Sequence, residues 1–211
     1  MKVIFLDHDG VICLSENWGS RFKKARKYMI DNNISEYAFA EERKRNLLVR
    51  FDDFDKKAIK VLNEIIEQTG CEIVVSSDWR LHATLEELGD YYISQGIVKR
   101  PIAVTDIFKD LFPKEWNAFR FRAELELERS MEIGHWLENH PEVTHWVAVD
   151  DLNMSSEFLS KYFSDGESDK NPGLSNFVLT PKSSEGIKQC GIKEKIIKFL
   201  TNEEYKSNIQ K

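Results

Sequence analysis

The stretch KVIFLDHDGV at residues 2–11 sets Asp7 and Asp9 one residue apart at the end of a short apolar run. Side chains alternate along extended backbone, so the two carboxylates can point the same way while His8 points the other. Val3 to Leu6 has the composition of a buried parallel strand covered on both faces. Gly10 then lets the chain fold away with no Cβ in its path. Two carboxylates side by side at the open end of a buried strand repel each other, so a cation must hold them. Mg²⁺, a hard ion that prefers oxygen ligands, suits that duty. Two later runs also end in polar residues: EIVVSS in Ser76 and Ser77, and HWVAVDD in Asp150 and Asp151. In an open α/β sheet, ligands gather outside the carboxyl ends of the strands, which would bring these distant positions together. Such a gathering of carboxylates is too negative to bind an anion unaided. With one Mg²⁺ and one Lys or Arg, a phosphate dianion can enter.

The elements that must position these residues follow a βαβ rhythm. In FDKKAIKVLNEIIEQTGCEIVVSSDWR, Asp55 can cap a helix with an apolar stripe of Ala58, Ile59, Leu62, Ile65 and Ile66, and Gly70 suits its C-terminal end. A buried strand follows, which implies a parallel sheet with a right-handed crossover. RSMEIGHWLENHPEV places Ile133, Trp136, Leu137 and His140 on one helical face, Pro141 stops it, and HWVAVDD is the next strand. NFVLTP at 176–181 is a further strand and KEKIIKFLTNEE a closing helix. RPIAVTDIF offers an edge strand, while PKEWNAFRFRAELELERS has no assigned element. SDGESDKNPG at 164–173 reads as a surface loop. Residues 17–50 read as two helical stretches broken near DNNIS, where Asn32, Asn33 and Ser35 give turn and cap chemistry. The expectation is one α/β domain over residues 1–211, a parallel sheet flanked by helices, with a helical insertion over 15–50.

Length and composition agree with this. A chain of 211 residues, 41% hydrophobic and 31% charged, has room for one substantial core. No apolar run approaches the roughly 20 residues of a spanning helix, and the N-terminus enters a strand with no secretory pattern. Cys13, Cys71 and Cys190 lack metal-type spacing and read as reduced thiols, so a cytoplasmic protein with no membrane partner is expected. His82, His135, His140 and His145 lack zinc-ligand spacing, and His8 reads as packing. Net charge is −6, yet residues 20–50 carry nine basic residues against four acidic ones. Solvated helix faces explain such a run; the alternative is a helical cap that draws a polyanion toward the site.

The ordered motifs DHDGV, EIVVSS and VAVDD resemble those of the haloacid dehalogenase superfamily of phosphatases. Its remaining motif, a Lys or Arg near the start of the helix before the last of these strands, is matched by Arg129, with Arg120 and Arg122 nearby. More narrowly, VVSSDWR, RSMEIGHWL, VAVDD and FVLTPKSSEGI resemble the phosphatase-type domain of multidomain "Swiss Army knife" RNA-repair proteins. The resemblance implies a Rossmann-like fold with a small cap and assigns roles. Asp7 is expected as nucleophile, Asp9 as general acid/base, Ser76 as a hydrogen-bond donor to the phosphoryl group, and Arg129 as its neutralising cation. Ser77 and Arg80 are candidate substrate contacts, although a salt bridge beside Trp79 accounts equally well for Arg80. Mg²⁺ is expected on Asp7, the backbone carbonyl of Asp9, and Asp150 or Asp151. The implied activity is phosphomonoester hydrolysis on a nucleotide or nucleic-acid phosphate end, with a phosphorylated small metabolite as the first alternative. A receiver-like signalling module is the second. Asp9 argues against it, since an added acid/base hastens loss of the phosphoryl group.

Overall fold

The computed structural model describes residues 1–108, 118–163 and 173–205. Among them five strands, β1 (Lys2–Leu6), β2 (Glu72–Val75), β3 (Ala103–Val104), β4 (His145–Asp150) and β5 (Phe177–Leu179), form one parallel sheet in the order β3-β2-β1-β4-β5. The winding reverses between β1 and β4, and the crevice at such a reversal is where open α/β sheets bind ligands. Leu6 is in register with Val75 on one side and Val149 on the other, so three strands end level. The ladder continues one step, with the amide of Ser76 donating to Leu6 O at 3.2 Å and that of Asp7 to Val149 O at 3.1 Å.

Three helices follow β1: α1 (Ser20–Asn32), α2 (Glu36–Arg45) and α3 (Leu47–Arg50). Crossovers are made by α4 (Lys56–Thr69), α5 (Leu85–Gln95), α6 (Ala118–Glu138) and α7 (Ser156–Phe163), and α8 (Ile192–Thr201) follows the last strand. The two-residue period of β1 divides the core. Ile4 and Leu6 pack with residues of α4, α5 and α8, while Val3 and Phe5 pack with Ile133, Trp136 and Leu137 of α6. The same alternation carried past the strand ends gives Asp7, Ser76 and Asp150 to the α6 face, and His8 and Ser77 to the other.

Local signals explain most elements. Asp55 accepts from the amides of Lys57 and Ala58 at the start of α4, and Gly70 ends it with φ +68°, a cap worth about 1 kcal/mol. The break between α1 and α2 also falls where expected: Asn33 is left-handed and the Ser35 hydroxyl accepts from Ala38 N. The third helix of the insertion and α7 were not anticipated, nor was α5, which opens on a capping box of Thr84 and Glu87. The insertion has its own small core of Ala25, Phe39 and Val49. It is tied back by Asp52, which accepts from Arg21 N at 2.7 Å, and by the Arg50–Glu87 pair at 3.0 Å.

One expectation is corrected. Arg129 lies in the middle of α6, not near a helix start, because the helix begins upstream in the stretch that carried no assigned element. AELELER alternates apolar and acidic residues with period two and so masks strong helix formers. His140 lies past the end of that helix, stacked on Trp136 at 3.6 Å. The loop read at 164–173 falls, but for Gly173, outside the described residues, as do the side chains of Arg120 and Arg122.

Candidate active site

Asp7, Asp150 and Asp151 bring carboxylate oxygens within 4.8 Å of one another. Asp7 and Asp150 are buried and Asp151 is half-buried. Arg129 spans the first two: its Nη1 donates to Asp7 Oδ1 at 2.9 Å and to Asp150 Oδ2 at 3.1 Å, and its Nη2 donates to Asp78 Oδ1 at 2.6 Å. Burial and then the Asp150 charge push the Asp7 carboxyl well above the usual carboxylate range, against the pull of Arg129. Burial likewise raises Asp150, although Arg129 and the amide of Leu152 oppose it. For Arg129, burial disfavours the charge, but the surrounding carboxylates, Asp150 first, outweigh it and raise its pKa. Three crowded carboxylates facing one guanidinium form an all-oxygen donor set short of positive charge. That set fits a hard divalent cation.

The turn after β1 shapes this set. Gly10 adopts φ +73°, and a Cβ there would collide with the Asp151 carboxylate, so the residue is required both by conformation and by close approach. The carbonyl of His8 accepts the amides of Val11, Ile12 and Cys13, and Thr180 Oγ1 donates to Gly10 O at 3.2 Å. Asp9 is not one of the three clustered carboxylates. Its Oδ2 accepts from Trp79 Nε1 at 2.9 Å. Partial burial raises its pKa, opposed by hydrogen bonds from Trp79 and Cys13.

His8 is fully buried on the opposite side, its Nε2 at 2.6 Å from Tyr92 Oη and its ring against Phe54 and Trp79. Burial and then the charge of Arg129 lower its pKa from 6.5 to about 3. The unfolded chain therefore binds one more proton than the folded one between those values, so this contribution to stability is complete above about pH 6.5 and lost as pH falls toward 3. In urea unfolding at pH 6, 5 and 4, the stability of His8→Asn should decline less steeply than wild type, by about 1.4 kcal/mol per pH unit. Parallel curves would show that His8 titrates normally in the fold.

Ser76 and Ser77 part company. The Ser77 hydroxyl caps the short 3₁₀ turn at Asp78–Leu81, while the Ser76 hydroxyl is buried with no partner among the described residues. Arg80 forms a salt bridge, its Nη2 meeting Glu132 Oε2 at 2.5 Å, and its Nη1 donates to the Ser76 carbonyl. Glu126, Arg129 and Glu132, spaced by three along α6, are all buried, so the helix turns a charged stripe toward the strand ends. Glu126 accepts from Asn153 N in the loop after β4, and Glu132 from Phe108 N. Sequence reasoning missed Asp78, the third carboxylate on Arg129, and the hydrogen bond that Trp79, itself part of the core, donates to Asp9. Their position in SSDWR, just past a strand end, was the available signal.

Among the described residues the metal-capable group is this carboxylate triad, with no histidine or cysteine in it, and the three cysteines are unpaired. No helix of the described residues is long and apolar enough to cross a membrane. The triad, set at the strand-order reversal of a Rossmann-like sheet, is consistent with phosphatase activity through an aspartyl-phosphate. Comparison with curated proteins and with solved structures finds no match. A family model described as the HAD domain in Swiss Army Knife RNA repair proteins matches residues 3–187, and the chain belongs to that family.

Proposed function

We propose that the protein is a Mg²⁺-dependent phosphomonoesterase that works through an aspartyl-phosphate on Asp7 and acts on nucleotide or polynucleotide phosphate ends. The observation that carries this reading is the meeting of Asp7, Asp150, Asp151 and Arg129 at the carboxyl ends of adjacent strands. Mg²⁺ held by Asp7, Asp150 and Asp151, with the Asp9 carbonyl, would neutralise phosphoryl oxygens. The remaining work belongs to the chain.

Arg129 grips one oxygen of Asp7 and so fixes the carboxylate's orientation, and the second oxygen attacks phosphorus. The bond from phosphorus to the ester oxygen breaks, and Asp9, in the role of general acid, gives that oxygen its proton. Asp9, now ionised, takes a proton from water as the water oxygen attacks phosphorus. The bond from Asp7 to phosphorus breaks, and inorganic phosphate leaves. Splitting one displacement into two is the gain from a covalent nucleophile. The Ser76 hydroxyl, on the same sheet face as Asp7, supplies a donor to the transferred group, and α1–α3 serve as the cap. The family's description in terms of RNA repair and the basic insertion support the choice of substrate.

A panel of phosphate esters tests the reading. Phosphate release from a phosphorylated oligonucleotide end should exceed that from sugar phosphates and mononucleotides, and chelation of the divalent ion should abolish it. Preference for a sugar phosphate would move the protein to the metabolite phosphatases; metal-independent release would remove the proposed chemistry.

A further inference from the structure

Between α2 and the turn that carries Trp79 lies a cavity of about 720 Å³, bordered by Arg21, Arg43, Lys44, Arg50, Trp79 and His82 among others. That size falls within the roughly 300–1,000 Å³ of ordinary small-ligand sites. Four cationic side chains line it against one carboxylate, Glu87. Arg50 already holds Glu87 at 3.0 Å and also donates to the carbonyls of Lys44 and His82, so it braces the wall. The other three are available to a ligand. Arg43 has no acidic partner among the described residues. The contact of Lys44 with Glu41 is an exposed i,i+3 pair, which contributes little. Arg21 lies 3.7 Å from Asp52, and its buried Nε has no partner among the described residues. This basic lining stands out in a chain of net charge −6.

Trp79 joins the cavity to the chemistry. Its ring, stacked on Phe51 with centroids 4.6 Å apart, forms the apolar wall, and its Nε1 holds Asp9. Resting on the reading above, in which Asp9 protonates the ester oxygen, the leaving group departs on the Trp79 side, into this cavity. We infer that the cavity is a leaving-group subsite in which Arg21, Arg43 and Lys44 bind a second phosphate carried by the substrate. The occupant is the next phosphodiester of a single-stranded nucleic-acid end. The subsite selects esters whose alcohol is itself an anion, and it discriminates against simple monophosphates.

The test uses Arg43→Gln/Lys44→Gln, whose side chains are exposed, and first confirms an unchanged melting curve. Binding of a fluorescent 5′-phosphorylated tetranucleotide, followed by anisotropy across a salt series, should weaken about tenfold or more, with a shallower dependence on salt. The same affinity and salt slope as wild type, or no binding by wild type, would overturn the subsite. The kinetic arm compares that oligonucleotide, a nucleoside 3′,5′-bisphosphate and an aryl phosphate. The ratio of kcat/KM on the oligonucleotide to that on the aryl ester should fall about tenfold in the variant; an equal loss on all three would overturn the subsite. A parallel fall on the bisphosphate shows that a lone second phosphate is enough, and a fall on the oligonucleotide alone assigns the contact to the strand. If wild type hydrolyses none of the three yet binding still depends on Arg43 and Lys44, the catalytic reading fails and the subsite stands.

Discussion

Asp7→Asn is expected to lower turnover of every phosphate ester about 10,000-fold or more, while its melting temperature in metal-free buffer stays level or rises. The loss follows from removing the atom that bonds to phosphorus, and nucleophile deletions elsewhere have effects of this order. The stability result follows from charge. Asp7 sits buried against Asp150, with Asp151 near, and its carboxyl is pushed well above the normal range, so an ionised Asp7 is a burden on the metal-free fold. The amide relieves that repulsion, and Arg129 keeps Asp150 at 3.1 Å and Asp78 at 2.6 Å. Each kcal/mol relieved should appear as about 2–4 °C in a protein of this size. Mg²⁺ should raise the melting temperature of wild type by mass action and that of the variant much less. Differential scanning fluorimetry with and without Mg²⁺, beside a phosphate-release assay, reads all three quantities. A variant that melts several degrees lower without metal yet retains turnover would make Asp7 a structural anchor.

Asp9→Asn should cost about 100- to 10,000-fold, the usual range for a positioned acid/base, with a loss that depends on the leaving group. An alkoxide leaving from a nucleotide needs a proton, so both halves of the reaction slow. A nitrophenolate leaves without one, so the first half should proceed and the second, which needs Asp9 as base, should stall. Stopped-flow absorbance with an aryl phosphate should then show a burst of about one equivalent followed by slow turnover. Near-normal steady-state hydrolysis would remove Asp9 from the acid/base role. Wild type that holds its phosphoryl group for minutes, with no difference between the two proteins, would favour the receiver-like module.

How much of this was legible beforehand differs residue by residue. Asp55 and Gly70 announced α4 because a cap and a left-handed stop act locally. Asp7 and Asp150 were found because parallel strands flanked by buried apolar runs can end only at a common edge. Ser76 was favoured over Ser77 although spacing alone does not separate them; the alternation of β2 puts Ser76 on the face of Asp7 and Ser77 on the other. Arg129 meets Asp7 and Asp150 from the middle of its helix rather than near a start, since a period of two in AELELER conceals a period near 3.6 set by tertiary burial of Glu126, Arg129 and Glu132. The hydrogen bond from Trp79 to Asp9 spans 70 residues, and the pair of Arg80 with Glu132 spans 52. No local rule reaches that far. Both depend on how the turn after β2 packs against the turn after β1 and against α6.

The proposed mechanism requires covalent phosphorylation of Asp7. Rapid acid quenching of wild type during turnover of a ³²P-labelled ester, followed by peptide mapping, tests it most directly. A hydroxylamine-labile acyl phosphate is expected on the N-terminal peptide at Asp7, formed only with Mg²⁺ and more abundant in Asp9→Asn with an aryl phosphate. Label on Ser76 or on a histidine, or turnover at full rate with no label on Asp7, would contradict it.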